Sequence, residues 1–165
     1  MEQELLPLVQ KKLNEHKELC AKRGITIQVT STYRSIEDQD KLYAQGRTAP
    51  GNIVTNAKGG QSFHNWRVAY DVVPIVNGKA AWDQEALFYA IGEFGKQCGL
   101  EWGGDWTSFK DLPHFQLTFG YTFQDFIDGK VDYTKYEVEP SPPDTPPKRS
   151  KEEIKAEIIN LLKEL

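Results

Sequence analysis

Ser62-Phe-His-Asn-Trp-Arg-Val-Ala-Tyr-Asp71, which continues into Val-Val-Pro-Ile-Val76, carries the strongest structural signals in the sequence. Residues 69–76 predict a strand, closed by Asn77-Gly78, a dipeptide typical of tight hairpin turns. His64 and Asp71 are seven residues apart, so in one unbroken strand their side chains would point to opposite faces. If both serve one site, the chain must bend between them. We predict His64 on a loop and Asp71 inside the strand that starts at Ala69.

The residues before this stretch predict a helix, a strand and a second helix. Apolar residues recur at helical spacing over 5–20, and Gly24 ends that helix. The alternation from residue 25 to 29 indicates a half-buried strand, and a second helix is predicted between Ser35 and Gly46. Residues 47–62 have no sustained period, so we expect a long functional loop there.

The residues after it add a helix, a strand and a short helical piece. Asp83 is predicted to cap a helix that ends near Cys98, before Gly99. A strand is predicted from His114 to Leu117, and a helical piece over 123–127. Helices and strands in this order, with hairpin signals, indicate an α+β fold with a small, mainly antiparallel sheet flanked by helices.

The chain divides into a domain over 1–136, a Pro-rich linker over 137–149 and a short amphipathic helix over 150–165. A helix of this length is marginal alone in water, so its apolar stripe should pack on another surface. The candidates are the domain itself, a second copy of the chain in a homodimer, or a further module. A plain solvent-exposed tail is the alternative.

Composition excludes several function classes. A net charge of -4 over 165 residues gives no reason to expect nucleic acid binding. Neither an export signal nor an apolar run of about 20 residues is present, so we expect no membrane insertion and synthesis in the cytoplasm. Cys20 and Cys98 lie far apart in sequence and indicate small buried thiols rather than a disulfide framework.

The residues that can carry chemistry are two histidines and two aspartates. Two neutral imidazoles and one carboxylate are a known zinc ligand set, so His64, Asp71 and His114 form a candidate metal site. Asp111 lies three residues before His114, with Pro113 between them to hold a corner. From spacing alone, plain structural roles remain open: a core histidine, a strand-edge carboxylate, and an aspartate that starts a turn.

Several segments, in the same order along the chain, carry a resemblance to a known family. Residues 62–71 resemble the SxHxxGxAxD motif of the M15 zinc peptidases, which include D-Ala-D-Ala carboxypeptidases and the L-alanyl-D-glutamate endopeptidases of phage endolysins. The further matching segments are Ser31-Thr-Tyr-Arg-Ser, Leu42-Tyr43, Gly46-Arg-Thr, Pro50-Gly, Ile53-Val-Thr, Gly59-Gly60, Trp102-Gly-Gly-Asp-Trp106 and Asp111-Leu-Pro-His114. The resemblance covers about residues 25–116 and implies the Hedgehog/DD-peptidase fold.

The resemblance also implies a role for each matching residue. It makes His64, Asp71 and His114 the ligands of a Zn²⁺ ion and Asp111 the catalytic base. Arg34 matches the arginine that binds the scissile carbonyl or its oxyanion.

Other matching positions are expected on the substrate side. Ser62, Gln39 and Trp106 are candidate substrate-binding residues, although the tryptophans of 102–106 could equally belong to the core. One position departs from the pattern: Arg67 stands where the motif has glycine. If that glycine serves a positive φ, arginine is costly there and the ligand geometry could differ.

The activity implied by the resemblance is hydrolysis of the L-Ala-D-Glu bond in the stem peptide of bacterial peptidoglycan. A D-Ala-D-Ala carboxypeptidase or dipeptidase of the same fold is the alternative enzyme. A zinc-stabilised wall-binding module without turnover is the alternative of another class. A phage or prophage lysis enzyme would act on the wall after membrane disruption, and the terminal helix could then be the stump of a wall-binding domain.

Overall fold

The structure, a computed structural model, describes residues 5–138. The helices in this part of the chain are α1 Pro7–Lys22, α2 Ile36–Ala44, α3 Glu85–Gln97 and α4 Phe123–Ile127, and the strands are β1 Thr26–Ser31, β2 Ala69–Val76, β3 Lys79–Ala80, β4 Glu101–Trp102 and β5 His114–Gln116. Single 3-10 turns occupy Phe63–Trp66, Gly103–Asp105 and Tyr133–Tyr136. Over residues 5–138, none of the helices combines the length and the apolarity that crossing a membrane requires.

The segments predicted at the C-terminus fall almost entirely outside this range. The helix predicted over 150–165, and all but the first two residues of the linker predicted over 137–149, lie outside the described residues. The domain boundary and the expectation of a homodimer through that helix therefore stay predictions.

The two helices that precede the site form for local reasons. Helix α1 begins with Pro7, which is tolerated in the first turn, and buries one face made of Val9, Leu13, His16 and Cys20. Helix α2 begins after Ser35, whose side chain accepts a hydrogen bond of 3.0 Å from the backbone N–H of Asp38. These elements confirm the predicted helices to within about two residues at each end.

The sheet has β2 at its centre. Its order is β1-β2-β5-β4, with β3 paired to the far end of β2, and all of these pairs are antiparallel. The predicted strand at 69–76 and its hairpin at Asn77-Gly78 are confirmed. Strand β4 was not predicted, since two residues are too short to show a period.

The two faces of the sheet have different chemistry. Tyr70, Val72, Trp102 and Phe115 belong to the hydrophobic core with residues of α1 and α3. On the opposite face the register pairs Asp71 with His114 and Gln116 with Glu101. Because strand residues alternate between faces, one sheet supplies the core from one side and a row of polar side chains from the other.

The third histidine, His16, is part of the core. Its side chain has no exposed surface, and it lies between the Tyr70 hydroxyl and the Ile91 carbonyl, each 2.9 Å from a ring nitrogen. The carbonyl can only accept, so Nε2 carries the proton and Nδ1 accepts from Tyr70. Burial lowers the pKa of His16 to about 4, although the hydrogen bond to Ile91 opposes this shift.

The start of α3 differs from the prediction. Gln84, not Asp83, is the residue that precedes the first helical turn, and no side chain caps it. The backbone carbonyl of Gln84 accepts from the N–H groups of Leu87 and Phe88, which places Asp83 one residue outside the helix. The predicted Asp83 cap is therefore wrong, whereas the body of the helix and its end near Cys98 are confirmed.

We predict that acid destabilises the fold through His16. Between pH 6.5 and about 4 the unfolded chain binds a proton at this residue that the folded chain excludes, so the free energy of unfolding decreases as pH falls through this window. The loss reaches at most about 3 kcal/mol. Urea unfolding of wild type and His16→Gln at several pH values measures it, and the variant should show a flatter profile. Parallel profiles for the two proteins would contradict the prediction, because the other two histidines are present in both.

Candidate functional site

His64, Asp71 and His114 converge at one point beside the sheet. They are the only group of three or more histidine, cysteine, aspartate or glutamate side chains within residues 5–138 whose ligand atoms approach closely enough to hold a metal ion. Asp71 is the third residue of β2, and His114 opens β5 directly opposite it. His64 lies on the 3-10 turn Phe63–Trp66 rather than on an open loop.

Arg67 makes the bend that brings His64 back to Asp71. It has φ 64 and ψ 23, the left-handed conformation, and its backbone N–H closes the 3-10 turn onto the carbonyl of His64. A non-glycine residue in this region costs roughly 1 kcal/mol. The predicted bend and the suspected positive φ are therefore both confirmed, and arginine adopts the conformation that the glycine of the family motif would take easily. The histidine and the aspartate still meet.

The three ligand atoms form a nearly equilateral triangle. Nε2 of His64 lies 3.2 Å from Nδ1 of His114 and 3.2 Å from Oδ1 of Asp71, and the distance from Nδ1 of His114 to the same carboxylate oxygen is 3.1 Å. With bonds of about 2.0 Å at the tetrahedral angle, two ligand atoms on zinc would lie about 3.3 Å apart. The triangle therefore matches one face of a zinc coordination tetrahedron.

The protons of both imidazoles lie on the nitrogens that point away from this triangle. Nδ1 of His64 is 2.6 Å from the carbonyl oxygen of Thr32, and Nε2 of His114 is 2.9 Å from the amide oxygen of Gln116. Both partners are acceptors, so in the neutral rings the facing nitrogens carry lone pairs. Two lone pairs and a carboxylate at about 3 Å repel one another unless a cation lies among them. The donor set thus fits a bound metal ion.

The charges of the triangle are strongly coupled. Burial raises the pKa of Asp71, but the combined influence of His114 and His64, each within 3.2 Å of its carboxylate, outweighs burial and brings that pKa well below its usual range. Burial lowers the pKa of His114, but the combined effect of Asp71, Gln116 and Asp111 outweighs burial and raises that pKa above its ordinary value. The aspartate is therefore a carboxylate at neutral pH, as a metal ligand must be.

Asp111 lies beside the triangle and is not part of it. A turn closed by the His114 N–H and the Asp111 carbonyl at 3.2 Å spans the two residues, with Pro113 inside it as predicted. Within residues 5–138 the Asp111 side chain has no hydrogen bond or ion pair, and it lines a cavity that opens over the triangle. Burial raises the pKa of Asp111, and Asp71 adds to this shift, while His114, His64 and Arg34 oppose it.

Arg34 lies at the junction between β1 and α2, as predicted, and its guanidinium is held by two neighbours. Nη1 donates to the side-chain oxygen of Gln39 at 2.9 Å, and Nη2 donates to the hydroxyl of Ser31 at 3.1 Å. Gln39 in turn donates to the backbone carbonyl of Ala57 at 2.8 Å and is fully buried. Gln39 was expected to contact the substrate. A buried side chain with satisfied polar groups cannot do so here, and instead it orients Arg34.

Asn65 connects the Arg34 junction to the turn that carries His64, and the sequence did not single it out. Its side-chain amide donates to the carbonyl of Arg34 at 2.8 Å, and its side-chain oxygen accepts from the N–H of Gly60 at 2.9 Å. The backbone N–H of Arg34 donates to the carbonyl of His64 at 3.2 Å. These bonds fix the arginine relative to the metal ligands.

A cavity of about 540 Å³ opens over the triangle. Ser62 and Trp106, the candidate substrate-binding residues, line it, and Val54 and Phe109 add exposed apolar side chains that no local pattern in the sequence indicated. The ring of Trp106 lies 5.1 Å from that of His114. An apolar rim around a few converging polar groups is typical of a ligand-binding cleft.

Trp102 belongs to the core, in contrast to Trp106. It is 3% exposed, and its indole N–H donates to the carbonyl of Leu112 at 2.8 Å. A Cβ atom on Gly104 would lie 2.2 Å from the Trp102 ring, and one on Gly103 would lie 2.5 Å from the carbonyl oxygen of Asp111. The two glycines therefore allow the segment to pack closely against both the core tryptophan and the turn that carries Asp111.

The fold and this site together define a peptidase-like metal cleft, and comparisons with known proteins agree. A family model of the M15 peptidases, described as D-alanyl-D-alanine carboxypeptidase, matches residues 55–117. The chain is 40% identical over 123 residues to the peptidoglycan L-alanyl-D-glutamate endopeptidase CwlK of Bacillus subtilis (strain 168), which covers 69% of this chain and 74% of that protein. The chain belongs to the M15 peptidase family.

Solved structures show the same fold. DacB from Streptococcus pneumoniae D39 superposes with a TM-score of 0.53 at 17% identity, covering 81% of this chain and 77% of that one. The D,D-pentapeptidase VanY, solved as an E175A mutant in complex with Zn(II), gives a TM-score of 0.52 at 14% identity over 78% of this chain and 80% of that one. The predicted Hedgehog/DD-peptidase fold is confirmed.

Proposed function

We propose that this protein is a zinc-dependent endopeptidase that hydrolyses the L-Ala-D-Glu bond of peptidoglycan stem peptides. Its similarity to CwlK, whose name states this activity, extends over most of both chains. The observation that carries the proposal is the triangle of two imidazole lone pairs and one carboxylate at 3.1 to 3.2 Å, beside a carboxylate without a partner in the described part of the chain.

His64, Asp71 and His114 would hold the zinc ion. Three protein ligands leave a coordination position open, which is the arrangement of catalytic rather than structural zinc sites. A zinc ion bound there supplies Lewis acidity and lowers the pKa of a bound water to about 7. VanY, which shares the fold, is recorded in complex with Zn(II).

Asp111 would act as general base and then as general acid. Its carboxylate faces the cavity, has no competing partner among residues 5–138, and has a pKa raised by burial, so it binds a proton more readily than an exposed aspartate. It would take the proton of the attacking water and return it to the amine that leaves. A structural aspartate would need neither an unpaired carboxylate nor this position.

Arg34 would stabilise the negative charge that develops on the scissile carbonyl oxygen. Its guanidinium lines the same cavity as Asp111 and His64. Because Gln39 and Ser31 hold two of its nitrogens, the positive charge is in place before the substrate binds.

The substrate peptide would lie in the cavity. Ser62, Val54, Trp106 and Phe109 all line it. Trp106 lies over His114, close to the reacting bond, where an apolar ring would pack against a small side chain such as the alanine methyl group. Action during phage or prophage lysis stays an expectation from the resemblance.

We expect the purified protein to bind one zinc ion per chain. Elemental analysis of wild type should give that stoichiometry, and a chelator should abolish the clearing of a cell-wall suspension, with activity restored by added zinc. His64→Ala and His114→Ala should lose the metal, because each removes one of three ligands. His16→Gln is the matched control, since His16 lies in the core and should leave zinc content unchanged. A folded wild-type chain that takes up no zinc would refute the site.

We expect Asp111→Asn to separate metal binding from catalysis. Zinc content and thermal stability should remain near wild type, while the rate of wall hydrolysis should fall by about 100-fold or more, since the amide cannot accept the proton. Asp105→Asn, an exposed aspartate six residues earlier, serves as the control and should retain activity. An Asp111→Asn variant that clears walls as fast as wild type would reject the base assignment.

Product analysis should identify the bond. Digestion of purified wall should create new N-terminal D-Glu, detectable by amine labelling and mass spectrometry, because cleavage after L-Ala frees that amine. Release of free D-Ala without new D-Glu termini would instead identify a carboxypeptidase, the activity named for the matching family model.

A further inference from the structure

We propose that Gln116 and Glu101 are positioning residues, which fix the tautomer of His114 and so keep its metal-binding nitrogen free of a proton. This inference rests on the proposed metal site and goes beyond it, because Gln116 and Glu101 contribute no atom to the triangle. Both lie on the polar face of the sheet, on the far side of His114 from the other two ligands.

The contacts form one continuous series of hydrogen bonds. Nε2 of His114 is 2.9 Å from the side-chain oxygen of Gln116, and the amide nitrogen of Gln116 donates to a carboxylate oxygen of Glu101 at 2.9 Å. The other oxygen of Glu101 accepts from the backbone N–H of Thr118 at 3.0 Å and from its hydroxyl at 2.5 Å. Three residues, on two adjacent strands and the segment after β5, are thus connected to the candidate ligand His114.

The carboxylate of Glu101 sets the donor-to-acceptor direction of these hydrogen bonds. An ionised carboxylate only accepts hydrogen bonds, so the amide group of Gln116 must present its nitrogen to Glu101 and its oxygen to His114. An amide oxygen also only accepts, so Nε2 of His114 must carry the proton. In a neutral imidazole the lone pair is then on Nδ1, the atom that faces Asp71 and His64.

The sheet register supplies the geometry. Gln116 is two residues after His114 in β5, so both side chains lie on the same face, and Glu101 of β4 is the direct partner of Gln116 across the strands. His114 and Gln116 are each 5% exposed. With so little access to water, the ring and the amide depend on each other and on Glu101 for hydrogen bonds, whereas Glu101 itself lies at the surface.

Replacing the carboxylate of Glu101 with an amide would keep its contact with Gln116. It would no longer fix which atom of the Gln116 amide faces position 101. A glutamine at position 101 could either donate or accept, so the amide of Gln116 could turn over and present its nitrogen to His114. The His114 ring would then accept a hydrogen bond at Nε2 and carry its proton on Nδ1, the atom that a metal ion would have to bind. Loss of such an outer hydrogen-bond partner typically weakens metal binding about 10- to 100-fold.

The test is Glu101→Gln, measured on the full chain in two ways. Competition with a chromophoric chelator should show a zinc dissociation constant raised about 10- to 100-fold. Long-range ¹H–¹⁵N spectra of the metal-free protein should show His114 protonated at Nε2 in wild type, and a mixture of tautomers in the variant. Thr118→Val is the matched control, because it removes one hydrogen bond to Glu101 but leaves the path to His114, and its zinc affinity and tautomer should stay near wild type.

Three results would overturn the proposal: an unchanged zinc affinity in folded Glu101→Gln, an unchanged tautomer, or an equal loss of affinity in Thr118→Val, which would indicate general loosening. If Glu101→Gln does not fold, Gln116→Met provides the same test by removing the acceptor at His114. Neither readout involves hydrolysis. A wild type that shows the expected tautomer and affinity but no peptidase activity would therefore defeat the proposed function and leave this inference standing.

Discussion

The antiparallel pairing of β2 with β5 sets the geometry of both the site and the hydrophobic core. It places Asp71 directly opposite His114, so two of the three ligand atoms meet without any contribution from loops. The third ligand atom belongs to His64, which lies outside the sheet. The 3-10 turn Phe63–Trp66 and the left-handed Arg67 after it bring this atom to the other two. A register slip of one residue would turn Asp71 into the core and bring Tyr70 to the site, so the candidate metal site and the hydrophobic core depend on the same strand register.

The division between the two faces of the sheet explains how a small domain can bury several polar side chains. Tyr70, Phe115 and Trp102 pack with α1 and α3, while the neighbouring residues along the same strands carry the polar row. Each buried polar group in that row has a defined partner, from Thr118 through Glu101 and Gln116 to His114. Satisfied networks of this kind rigidify a site, whereas one unpaired member would cost more than an apolar replacement.

Asp111 and Arg34, the proposed base and oxyanion partner, are held in place by similarly short connections. Asp111 is tied to His114 by one turn and rests against Gly103, and Arg34 is tied to the His64 turn through Asn65. Gln39 joins Arg34 to the loop that forms one wall of the cavity. The proposed base, the proposed oxyanion partner and the candidate metal ligands therefore have fixed relative positions before a substrate binds, which is the condition for electrostatic stabilisation of a transition state.

Local sequence was enough to predict the elements with a clear hydrophobic period or with turn and cap residues, namely α1, α2, β2 and its hairpin. It was also enough to predict the bend after His64 and the corner at Pro113. The resemblance assigned the ligand set and the base, and the convergence of the three ligands agrees with it. The tertiary structure was needed for the features that depend on residues far away in the sequence. It buried Gln39 and turned it from an expected substrate contact into a support for Arg34, and it divided the two tryptophans of 102–106 between core and cleft. It moved the start of α3 past Asp83, and it paired Glu101 with Gln116. None of these could be read from local pattern, because burial and cross-strand partners are set by register and packing, whereas local signals report only what a segment does within a few residues of itself.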